Sequence, residues 1–148
     1  RSQNRKGIEG GWNVELGGYI IRMDTYSILL TCAGSQLIVG NVNALKKQQE
    51  LTFRFIGTDT NPNGVGKHFF KNFYINPGAK SSSYIKEILK IATKENISII
   101  LPGSDAETLV LAKNKILLEK EGIKVVVDEY ELIKLIQSKL DLFNYLSI

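Results

Sequence analysis

The sequence predicts an α/β fold, a Rossmann-like doubly wound parallel sheet of about five strands, and three observations carry that prediction. Short unbroken apolar runs, at residues 28–30 and 97–101, have the texture of parallel strands buried on both faces. Between the strand-like runs lie segments with apolar residues at helical spacing. The connections are short and rich in glycine, proline, serine and asparagine, so strands and helices alternate with right-handed crossovers.

Residues 1–22 differ in texture from the rest of the chain. They are rich in glycine and polar residues, hold the only tryptophan, Trp12, and directly precede the only methionine, Met23. They read as an upstream or appended segment outside the fold. The competing reading is a hairpin of residues 12–16 and 19–21 around Gly17-Gly18. The Rossmann-like domain is expected over residues 23–137, with 138–148 opening a further element.

Within that domain the first apolar run breaks at Thr31-Cys32-Ala33-Gly34-Ser35-Gln36. A helix follows over residues 37–49, with Leu37, Ile38, Val42 and Leu45 as its stripe. Residues 53–57 form the second strand, residues 58–64 a polar loop, and residues 72–75 a short third strand stopped by Pro77-Gly78. Ser82-Ser83 are placed to cap a helix over residues 84–94 whose inner face is Ile85, Ile88, Leu89 and Ala92. After the strand at 97–101, Pro102-Gly103-Ser104-Asp105 turns into one helix over 106–121, capped by Ser104 or Asp105 and ended by Gly122. A fifth strand at 124–127 and a short helix at 129–137 complete the pattern.

At 148 residues the chain suits a single core, and 43% hydrophobic with 23% charged residues is ordinary for a globular protein. No apolar run approaches the roughly 20 residues a membrane span needs. No signal-peptide pattern opens the chain, so a cytoplasmic location without membrane attachment is expected. Of the net charge of +4, about half comes from Arg1, Arg5, Lys6 and Arg22 set against Glu9 and Glu15. The remainder is mixed in sign, which argues against a nucleic-acid surface. One cysteine, Cys32, and one histidine, His68, exclude a disulfide framework and a thiolate metal cluster.

If residues 28–30 are the first strand, the break after them lies at the carboxyl edge of the sheet, where open α/β folds bind ligands. Gly34 would let the backbone approach a bound group, and the helix start beyond it would offer N–H groups to an anion. As a dinucleotide fingerprint the stretch is partial: Gly34 is in place, but Cys32 and Leu37 stand where glycines belong. Asp59 suits either a ribose clamp or an Asx-turn before Pro62, and Asp105 either a site carboxylate or a helix cap. His68 has no evident catalytic partner, and Cys32 reads as a small core residue. A free-standing dinucleotide-binding domain using Gly34, Gly40 and Asp59 and a non-catalytic interaction domain therefore both stay open.

The runs ILLTCAG, FRFIGTDTNP, FYINPG, ISIILPGSDAETLVLAKNK, IKVVV and QSKLDLFNYL, in this order over residues 26–146, resemble the N-terminal, pre-ATP-grasp domain of ATP-grasp ligases. The branch they most resemble is that of the carbamoyl-phosphate-synthase large subunit. The resemblance implies a domain on the substrate side of an ATP-dependent carboxylate–amine ligase. It implies substrate contacts from Gly34, Ser35 and Gln36 in the glycine loop and from Asp105 after Pro102, with Glu107 just beyond it. Asp59, which suits a ribose clamp or an Asx-turn, is a further candidate substrate-binding residue. Lys139 takes the position where relatives meet nucleotide phosphate. ATP and magnesium belong in such enzymes to a following ATP-grasp domain, so no cofactor and no catalysis is expected of this chain alone. The implied partners are that ATP-grasp domain and a small carboxylate or bicarbonate. Apolar residues beyond Lys139 would pack on the following domain, and self-association through them is a further expectation.

Overall fold

The computed structural model describes residues 12–16, 19–23, 25–48 and 50–147. The readings placed on residues 1–11 and on the Gly17-Gly18 turn lie outside that set. Trp12–Leu16 (β1) and Tyr19–Met23 (β2) pair antiparallel, with Trp12 opposite Met23 and Leu16 opposite Tyr19.

The main sheet is formed by Thr25–Leu30 (β3), Thr52–Asp59 (β4), Asn72–Ile75 (β5), Ile99–Leu101 (β6) and Lys124–Val125 (β7). Its order is β5-β4-β3-β6-β7 and every pairing is parallel, so the α/β Rossmann-like fold is as the sequence predicts. Strand parity divides the core in two. Ile28 and Leu30 point to a cluster with Ile38 and Val42 of Gln36–Lys47 (α1). Leu29, Ile56 and Ile100 point to the other face, against Tyr84–Lys94 (α2), Asp105–Lys113 (α3) and Lys115–Lys120 (α4). Full burial of a side chain such as Ile88 or Leu111 stabilises the fold by about 1.5–3 kcal/mol. Tyr130–Gln137 (α5) packs on α3, and Lys139–Leu146 (α6) on α5. No helix among the described residues is long and apolar enough to cross a membrane.

Several boundaries differ from the sequence pattern, each for a local reason. The helix expected over 106–121 breaks at Asn114, whose side chain donates to the Val110 carbonyl and competes with the helical ladder. Gly122 ends α4 with φ 82, and the bonds from Gly122 N to Glu119 O and Ile123 N to Leu118 O form a Schellman motif. Asn96 closes α2 the same way with φ 47 and an Ile97 N to Ala92 O bond, which draws Ile97 out of β6. The fifth strand stops at Val125 because Val127 N turns back onto Val125 O.

Ser83 makes no side-chain cap, and its N–H instead meets Ser81 Oγ. The inner face of α2 is Tyr84, Ile88, Ile91 and Ala92, with Ile85 and Leu89 half-buried beside it. Leu37 is 77% exposed rather than part of the α1 stripe. In β6 only Ile100 is fully buried, while Ile99 and Leu101 are half-covered on the α1 side.

Two polar ties hold the amino edge of the sheet. Ser98 Oγ accepts from Ser27 N and donates to Ser27 O, both at 3.1 Å, stitching the approach to β6 onto β3. Glu95, its side chain 8% exposed, accepts from Arg54 Nη1 at 2.6 Å, from Asn72 Nδ2 at 2.9 Å and from the Tyr74 hydroxyl. Burial opposes ionisation of Glu95, but the bonds from Tyr74, Arg54 and Asn72 outweigh it and hold its pKa below the usual carboxylate range.

Candidate functional site

The strand order turns at β3. The chain leaves β3 toward β4 and leaves β6 toward β7, so the two connections diverge at the carboxyl edge. The loop after β3 is pinned to both neighbours: Thr31 N donates to Leu101 O at 3.1 Å, and Ala33 N to Thr58 O at 3.0 Å. Between them Cys32 takes φ 50, a left-handed conformation uncommon for a residue with a Cβ.

Both backbone polar groups of Gly34 are engaged within the chain. Its N–H donates to Asp59 Oδ2 at 2.8 Å and its carbonyl accepts from Gly66 N at 3.3 Å. A Cβ on Gly64 would stand 2.6 Å from Gly34 Cα, and one on Gly66 would stand 1.6 Å from the Ala33 carbonyl oxygen. Glycine is needed here because two backbone segments of the same chain touch. Asp59 Oδ1 also accepts from Asn61 N at 2.8 Å, so the Asx-turn reading of this aspartate describes what it does here. Val65–Phe69 follows as a 3-10 turn.

Glu107 stands on the other side of the loop, buried in the first turn of α3. Its Oε2 accepts from Thr31 Oγ1 at 2.8 Å and from Ser104 Oγ at 3.0 Å, and its Oε1 from the Tyr84 hydroxyl at 3.2 Å. Ser104 is the N-cap, accepting from Glu107 N at 3.4 Å, so residues 104 and 107 form a variant of the Ser-x-x-Glu capping box. Burial raises the Glu107 pKa, against the opposing pull of the Thr31, Ser104 and Tyr84 bonds. Burial also pushes the Tyr84 hydroxyl up, helped by the Glu107 charge. Burial and then the charges of Glu107 and Asp59 push the Cys32 thiol up, so Cys32 is not poised as a thiolate nucleophile.

The structure thus brings Gly34, Ser35, Asp59 and Glu107 together around one loop. Gln36 begins α1 with its side chain exposed, and Ser35 precedes it without making a side-chain cap. Asp105 is exposed at the first residue of α3, and its carbonyl accepts from Gln137 Nε2 at 2.7 Å. Lys139 opens α6, exposed, on an element that packs on α5. Sequence reasoning missed Thr31 and Tyr84. The signals for them were a threonine ending a buried strand and a tyrosine opening an amphipathic helix.

These residues do not fit magnesium-ATP. The Gly34 N–H is already given to a carboxylate, and Asp59 and Glu107 present acceptor oxygens where a phosphate needs donors. No group of three or more histidine, cysteine, aspartate or glutamate residues among the described residues could hold a metal ion.

A family model described as "PylC-like, N-terminal domain" matches residues 28–126. No curated protein matches the chain. Among solved structures, the complete multifunctional pyruvate carboxylase from Rhizobium etli is similar, with a TM-score of 0.53 and 14% identity over 80% of this chain and 12% of that one. At that identity the likeness is one of fold, and this chain spans only a small part of the carboxylase. A dTDP-glucose 4,6-dehydratase from Bacillus anthracis, solved in complex with NAD, aligns with a TM-score of 0.47 and 17% identity over 68% of this chain and 36% of that one.

Proposed function

The chain belongs to the PylC-like N-terminal domain family, the N-terminal domains of ATP-grasp-type ligases, and from that premise we propose that it is the substrate-side part of a ligase joining a carboxylate to an amine. The observation that carries the proposal is the carboxyl edge itself. In a chain of this family, the loop at Gly34, Ser35 and Gln36 lies between Asp59 and the start of α3, where Asp105 is exposed to solvent. In this reading those residues face the substrate, while ATP and magnesium belong to an ATP-grasp domain whose nucleotide phosphate Lys139 would meet. The carbamoyl-phosphate-synthase-like branch and a cytoplasmic setting are the finer parts of the proposal.

Calorimetric titration with magnesium-ATP tests it, run on this chain and on the same chain joined to an ATP-grasp domain. Binding to the joined protein alone supports the reading. Carboxylates and amino acids should then shift the NMR signals of residues 34–36 and 105 in the short chain. Tight binding of magnesium-ATP to the short chain would overturn it and make the Gly34 loop a nucleotide site.

A further inference from the structure

At the carboxyl edge, the Glu107 side chain reaches three separate segments. It accepts from Thr31 at the end of β3, from Ser104 in the turn before α3, and from Tyr84 at the start of α2, at 2.8, 3.0 and 3.2 Å. Thr31 Oγ1 also accepts from Gly103 N at 3.3 Å, which joins the two diverging connections. Thr31 is fully buried and immediately precedes Cys32, whose left-handed backbone persists only where its surroundings hold it. The other end of the same loop is held by Asp59 through the Gly34 N–H.

We propose that Glu107 is the positioning residue of the loop between β3 and α1, and that the charge on its carboxylate sets whether residues 32–35 keep their turn. Ionised, the carboxylate accepts all three hydroxyls. Neutral, it carries a proton of its own, so one oxygen becomes a donor and a hydroxyl must turn away. The groups facing Glu107 are Tyr84 from α2, Cys32 from the loop and Asp59 from β4. Tyr84 and Cys32 are both pushed further toward their neutral forms, which leaves Asp59 as the other charge that acts on it. Burial moves the Glu107 transition to milder acidity than an exposed glutamate shows. The inference concerns the chain's own loop and stands apart from the ligase reading.

Amide exchange and a pH titration followed by NMR test it on the wild type, Glu107→Gln and Thr31→Val. The amides of Ala33, Gly34 and Ser35 are each hydrogen-bonded, so their exchange reports on the turn. In Glu107→Gln they should exchange about tenfold faster or more, while Ile56 in the core of β4 keeps its protection. In the wild type the loop signals should titrate with a midpoint above the usual carboxylate range, and that titration should vanish in Glu107→Gln. Unchanged loop protection in a folded Glu107→Gln overturns the proposal, as does a loop titration that survives the substitution. Should Glu107→Gln fail to fold, Thr31→Val decides: faster loop exchange supports the proposal, and wild-type exchange refutes it.

Discussion

Asp59 and Gly34 are tied across 25 positions of sequence by a bond in which the smallest residue is the donor and a Cβ would be an obstruction. The Asp59 Oδ2 that accepts the Gly34 N–H would lie 2.9 Å from a Cβ placed on residue 34. Gly34→Ala should therefore destabilise the protein by about 1–3 kcal/mol. Gly66→Ala should cost more, because its new Cβ would meet the fixed Ala33 carbonyl rather than a side chain able to move. Urea unfolding with an unchanged slope and midpoints ordered wild type, Gly34→Ala, Gly66→Ala would bear this out.

Glu95 should govern stability in acid. Its folded pKa is depressed, so its contribution is present above the unfolded value of 4.5 and is lost as pH falls through the lower folded value. Glu95→Ala, which leaves Arg54, Asn72 and Tyr74 without their shared acceptor, should cost about 2 kcal/mol at neutral pH. The difference from wild type should shrink in acid, and a gap that stays constant from neutral to strongly acid pH would contradict this assignment.

Glu107 should act with the opposite sign. Its folded pKa is raised above the unfolded 4.5, so the native state binds the proton more tightly. Stability from this group is fully present below pH 4.5 and is lost as pH rises through the folded value. Glu107→Gln removes that loss, and its melting temperature should depend less on pH than that of the wild type between 4.5 and neutrality. A steeper dependence in the variant would show that the carboxylate is not penalised by burial.

The outer face of α6 should drive association. Leu140, Phe143 and Leu146 are 69%, 67% and 72% exposed, an apolar surface with no covering among the described residues. Sedimentation at rising concentration should show self-association, and Phe143→Ser with Leu146→Ser should abolish it while changing stability by no more than about 0.5 kcal/mol. A monomer at all concentrations would count against this role for the helix.

The sheet was legible because parallel strands covered on both sides leave unbroken runs, as at Leu29 and Leu30, and such runs need no distant information. Helix ends were legible where one residue decides them, as Gly122 does. The break at Asn114 was not, since its side chain competes with a backbone group four residues away inside an otherwise helical stretch. The packing role of Gly34 was not legible for a different reason. What a Cβ would strike there is Gly64 and Asp59, and no local pattern shows which loops will touch. Glu107 was placed only by the resemblance, just beyond Asp105, and its partners Thr31 and Tyr84 lie 76 and 23 residues away and emerge only from the fold.

The reciprocal bonds between Ser27 and Ser98 span 71 residues and carry a consequence for assembly. β3 is the middle strand of the sheet, yet one of its two edges has no partner until β6 has been made. A chain emerging from the ribosome can pair β3 with β4, and β4 with β5, early, but the other hydrogen-bonding edge of β3 stays open until about 70 residues beyond it have been added. That interval is when a nascent copy is most vulnerable to strand pairing with its neighbours. A chaperone arriving in that window would find the middle of the sheet, not its rim, still exposed.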